Sequence, residues 1–198
     1  MKKFKGIKRR KSKKNHGKLI VVLLAGIMVL STVGFLMSDV SQSSSVMYNG
    51  HAIESTPQGL VVEFDGVDVP FTYYPDSVSD LAPSDGISLL RNSKVLVVSY
   101  DVSVEDPAPF GGVQYQMEHD WQRAGKYAIR ALMNGENYTL PSLGCANATA
   151  QSPVIYYEIG NTTGYRVEGS CLIGTTVVAN DVVRLRDALF YEYYGVYE

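Results

Sequence analysis

The sequence predicts an α+β fold: a two-layer domain of mostly antiparallel sheet with two helices on one face, behind one N-terminal transmembrane helix. Three observations predict it. A basic stretch runs straight into a long uncharged apolar run. Several later runs alternate apolar and polar residues around turn signals, one of them Asp65-Gly66. Two segments, 117–133 and 179–195, repeat apolar residues at helical spacing.

The N-terminal elements come first. The chain has 198 residues and a net charge of −2, but "MKKFKGIKRRKSKKNHGK" at 1–18 carries ten Lys or Arg and no acid. Eight basic and twenty acidic residues follow Lys18, a net of −12. Such segregation points to two compartments or two kinds of partner. Between the halves lies "LIVVLLAGIMVLSTVGFLM", 19–37, without a charge. As a helix it would be about 28 Å long, against about 30 Å for a bilayer core. Ser31 and Thr32 can return their hydroxyls to carbonyls one turn back. The run exceeds the apolar region of a cleaved signal and no Ala-x-Ala follows, although the small residues of "SDVSQSSS" leave cleavage open. Lys and Arg beside a span stay cytoplasmic, so the N-terminus is expected inside and the C-terminal domain outside a cell membrane crossed once. The expected partners are membrane lipid for 19–37 and anionic headgroups for the tail. Nucleic acid is disfavoured, because 1–18 has no interleaved aromatic residues for base stacking.

Residues 38–47 read as a polar stalk, with the external domain at 48–198. In "LVVEFDGVDVPFTYY" the Asp65-Gly66 pair suits the positive φ angles of a two-residue type I′ turn, so a hairpin is expected. "KVLVVSYDV" at 94–102 is apolar or β-branched almost throughout, as a buried central strand would be. Prolines and glycines in "SVEDPAPFGG" end it. The segment 117–133 then places Trp121, Ala124, Ala128, Ala131 and Leu132 on one helical face. "PVIYYEIG" and "YRVEGSCLIG", joined by "NTTG", read as a second hairpin. The final helix has Val182, Leu185, Leu189 and Tyr193 inward and ends at Gly195.

The two cysteines, Cys145 and Cys171, lie in the part expected outside, where an even pair is most often a disulfide. A redox-active thiol would want Cys-x-x-Cys at a helix start, and zinc would want four clustered ligands; neither pattern is present. Asn-x-Thr triplets at Asn137, Asn147 and Asn161 are candidate glycosylation sites on exposed loops.

Catalytic patterns are scarce. No cofactor is implied, since the Gly-x-Ser-x-Gly, Walker and dinucleotide patterns are all missing. The strongest polar grouping is Asp101, Glu105 and Asp106, followed by Glu118, His119 and Asp120. If strand end, loop and helix start converged, Asp101, Glu105 and His119 would be candidate ligands for a divalent cation or acid–base groups. Acids at a helix start are more commonly dipole partners. The fourteen tyrosines suit a core with rim hydroxyls, or a surface for a protein partner or glycan. These features together predict a non-enzymatic, membrane-anchored surface or interaction protein. The alternatives are an envelope-associated enzyme or metal-binding protein using the 101–120 acids, and an accessory subunit of a membrane complex.

Several stretches occur together: "MYNG" at 47–50, "VPFTYYP" at 69–75, "CANATAQSPVI" at 145–155, "CLIG" at 171–174 and "DALFYEYYGV" at 187–196. The set resembles small archaeal single-pass membrane-anchored proteins with a short external α+β domain. The resemblance implies archaeal origin, a surface location and a cysteine pair. It carries no activity, so it assigns no functional residue.

Overall fold

The computed structural model describes residues 20–29, 44–135 and 137–197. The chain divides into two units, Met1–Gln42 and Ser43–Glu198. In the first, residues 20–29 are helical and exposed. Among the described residues no helix is long and apolar enough to cross a membrane. The rest of the expected span at 19–37, the tail at 1–18 and the first part of the stalk lie outside the described residues.

The second unit opens with a four-stranded antiparallel meander: β1 (Ser44–Tyr48), β2 (His51–Thr56), β3 (Gly59–Phe64) and β4 (Val67–Phe71). The Asp65-Gly66 turn adopts the expected positive φ values, 51° and 81°. Asn49-Gly50 does the same at 44° and 85° and closes a hairpin that the sequence reading missed. The end of the expected stalk is therefore strand β1, paired with β2 from Ser44↔Ser55 to Tyr48↔His51. Its serines hid it: β1 is a short, largely exposed edge strand in which only Tyr48 packs against the core.

The larger sheet contains β5 (Val95–Asp101), β6 (Tyr127–Met133), β7 (Val154–Ile159), β8 (Gly164–Glu168) and β9 (Cys171–Thr176), in the order β6-β5-β7-β9-β8. Only the β8–β9 pair is antiparallel; β5–β6, β5–β7 and β7–β9 are parallel. The expectation of a mostly antiparallel sheet holds for the meander and fails here. Two misread segments account for it.

The first is 117–133. Helix α1 (Ile87–Asn92) precedes β5, and α2 follows it as Ala108–Arg123, starting well before the expected point. Pro107 and Pro109 fall at the cap and first turn, where a missing N–H costs nothing. Gly111 lies where an added Cβ would be 3.1 Å from the Tyr100 hydroxyl, so glycine permits close approach of α2 to β5. The helix stops at Gly125, φ 74°, and Tyr127–Met133 returns as β6, parallel to β5. Ala128, Ala131 and Leu132 are buried, but on a strand.

The second is the expected hairpin of 153–160 with 165–174. Strand β7 is largely buried and runs between β5 and β9, with Val154 opposite Cys171 in parallel register. The real hairpin is β8–β9, turning after Glu168 with Gly169 at φ 59°. A two-sided apolar strand belongs inside a parallel sheet, whereas the exposed β8 suits an edge.

The last helix, α3 (Val182–Tyr193), matches expectation and ends at Gly195, φ 76°. Helices α2 and α3 lie on one face of the larger sheet, as expected, but the meander covers them from the other side. Ile53, Val62 and Val69 of the meander share one buried core with Trp121, Leu189, Leu96 and Ile155. The arrangement has three layers, not two. Phe71 stacks on Tyr191 at 4.0 Å and Phe64 on Tyr194 at 4.1 Å, joining the meander to α3 and its end. Of the fourteen tyrosines, several thus serve the core or its rim. Val97, Ala131, Val154, Cys171 and Ile173 form a smaller core on the far face of the sheet, under Leu143, Cys145 and Ala148.

Candidate functional site

The cysteines are joined. Cys145 sits in a short 3-10 turn (Cys145–Asn147) and Cys171 opens β9, with Cα atoms 5.2 Å apart. The bond fastens the long β6–β7 connection over the smaller core. The predicted pairing is correct, but its route differs, because Cys171 starts β9 and does not end a hairpin partner of β7. Asn137, Asn147 and Asn161 are all exposed. Asn147 Oδ1 accepts a hydrogen bond from the Gly144 N–H at 3.0 Å, so this side chain is already engaged beside the disulfide.

The acidic grouping at 101–120 is split. Asp101 ends β5, where its carboxylate accepts from the Ser103 N–H at 2.8 Å, the Ser103 hydroxyl at 2.7 Å and Asn134 Nδ2 at 2.9 Å. Burial alone would push its pKa up, but these hydrogen bonds hold it below the usual carboxylate value. Glu118 pairs with Arg130 at 2.9 Å, and His119 sits edge-on to Tyr115. Asp120 is fully buried against Arg186. Because α2 starts at 108 rather than near 117, Glu118–Asp120 fall about 15 Å along the helix from the β5 loop. Asp101, Glu105 and His119 therefore form no common site, and among the described residues no group of three potential ligands could hold a metal ion.

Sequence reasoning missed the buried ion network. Arg186 donates through Nε to Asp120 Oδ2 at 3.1 Å, and through Nη1 to Asp187 Oδ1 at 2.6 Å and the Pro70 carbonyl at 2.7 Å. Asp187 Oδ2 accepts from the backbone N–H groups of Thr72 and Tyr73 at 2.8 and 2.9 Å. The guanidinium also lies over the rings of Phe71 and Phe190. Burial would lower its pKa, yet the Asp187 and Asp120 carboxylates raise it above the ordinary arginine value. These bonds link α3 to α2 and to the meander, so the network's role is structural. A charged pair set among apolar residues in "LRDALF" was the available signal.

Among several hollows on the described residues, one crevice of about 570 Å³ is lined by Val104, Glu105, Asp106, Ile159, Val177 and Ala179. These residues follow or end β5, β7 and β9, so the crevice lies beyond the carboxyl ends of three parallel strands. The chain goes from β5 to β6 on one side, whereas β7 lies on the other. Open parallel sheets place their binding crevices at such a reversal. The fold thus belongs to the class of α+β domains with a mixed sheet and an antiparallel meander, carrying a crevice at the strand ends. No known protein family, curated protein or solved structure matches the chain.

Proposed function

We propose that the chain is a membrane-anchored interaction protein, non-enzymatic, whose α+β domain stands outside the membrane while residues 1–18 remain inside. The Cys145–Cys171 disulfide is the observation that carries this reading. Such bonds persist in oxidising compartments and are rare in a reducing cytosol. The orientation drawn from the basic tail and apolar run rests on wholly different residues, and the two agree.

The geometry favours binding over catalysis. The polar residues best suited to chemistry are dispersed, and the crevice walls are mainly aliphatic. Fractionation tests the anchor. The full chain is expected to stay with membranes through an alkaline carbonate wash, and a variant lacking 19–37 to be released. Release of the full chain would overturn the reading.

A further inference from the structure

The crevice walls differ from an ordinary solvated surface. Ile159 and Val177 are 43% and 51% exposed, aliphatic side chains at the ends of β7 and β9. Glu105 and Asp106 stand at the crevice rim. No Lys, Arg or His occurs in the connections 102–107, 134–153, 160–163 or 177–181, which leave the parallel strands at this end, while Asp101, Glu105, Asp106 and Asp181 all lie there. Basic residues on the flanking elements are engaged elsewhere. Arg166 pairs with Glu158 and Glu168, and Arg184 donates to the Ser77 carbonyl.

From this combination we infer that the crevice binds a basic peptide segment: an aliphatic side chain set against Ile159 and Val177, flanked by Lys or Arg facing Glu105 and Asp106. An anionic occupant is disfavoured. The starts of α2 and α3 lie at this end of the sheet, but the charged residues lining the crevice, Glu105 and Asp106, are both acidic and would repel an anion. A peptide suits the site better than a compact ion, because the acids rim an apolar hollow and do not converge. This inference rests on the domain being an interaction module and is independent of which side of the membrane holds it.

The test uses the full chain in a zwitterionic detergent and a fluorescent hexapeptide of alternating lysine and leucine, read by anisotropy. Binding is expected to weaken roughly tenfold in the Glu105→Gln/Asp106→Asn double variant, since two exposed charge pairs are lost. Val177→Ser is expected to weaken it by a similar factor, and added salt to weaken the unsubstituted protein. Lysine–serine and glutamate–leucine hexapeptides are expected to bind far more weakly. Matching thermal melts verify that the variants fold. No binding of the lysine–leucine peptide, binding undiminished in both variants, or equal binding of the glutamate–leucine peptide would each overturn the inference. Failure here with retained membrane association would leave the anchor reading intact.

Discussion

Arg186 on α3 and Asp120 on α2 form a fully buried ion pair, with Nε 3.1 Å from Oδ2. The same guanidinium reaches the Pro70 carbonyl, so one side chain ties both helices to the meander. Burying such a group is unfavourable unless all its donors are paired, and removing one partner strands the other charge. Arg186→Met and Asp120→Asn are therefore each expected to cost about 3–5 kcal/mol. Urea unfolding followed by tyrosine and tryptophan emission checks this. A loss below about 1 kcal/mol, the range of an exposed pair, would contradict the network's role.

The crosslink makes a second prediction. Cys145 and Cys171 are 26 positions apart, and breaking a loop of that kind is expected to cost about 2–5 kcal/mol. Cys171→Ala also leaves a small gap in the core under Leu143 and Ala148, so Cys145→Ser is the cleaner variant. Alkylation of the unreduced, denatured chain should add no mass. Two added groups would show that the bond does not form.

Asp101 supplies the pH prediction. Its folded pKa lies below the ordinary value of 3.8, so its contribution is present above that value and lost as pH falls through the folded pKa. The melting-temperature difference between the unsubstituted chain and Asp101→Asn is expected to be present at neutral pH and to shrink below about pH 4. A difference that grows on acidification would contradict the assignment. The Ser103→Ala variant, which removes one of the donors, should reproduce part of the effect.

Phe71 packs face to face on Tyr191 and beneath Arg186, at the contact of meander and helix layer. Phe71→Ala is expected to destabilise by about 3–5 kcal/mol. Phe71→Leu should cost less, since it keeps most of the volume and loses chiefly the stacking, about 0.5–1.5 kcal/mol beyond area burial. Equal losses for the two would mean that ring geometry, not volume, decides the contact. Urea unfolding of both variants measures the difference.

Local chemistry with a single outcome was legible in the sequence. Asp65-Gly66 turned as read, 94–102 became a central strand, the last helix ended at Gly195, and the cysteines paired. What misled was pattern shared between states. Spacing of 121, 124, 128, 131 and 132 fits a helix, yet the chain bends at Gly125 and the last three lie on a strand. Proline and glycine at 107–112 read as a loop, although their positions suit a helix start packed tightly on Tyr100. Strand partners were not readable, because β7 pairs with β9 and skips the adjacent β8. For the site, Glu105 and Asp106 were in view from the start. Ile159 and Val177 joined them only through parallel pairing of β5, β7 and β9.

The placement of the domain outside the membrane is the central claim, and protease added to intact cells expressing the full chain tests it most directly. The account predicts that the 38–198 domain is digested once its disulfide is reduced and the domain unfolds, while the tail at 1–18 stays protected until the membrane is opened. A domain that survives in intact cells while the tail is cut would contradict it.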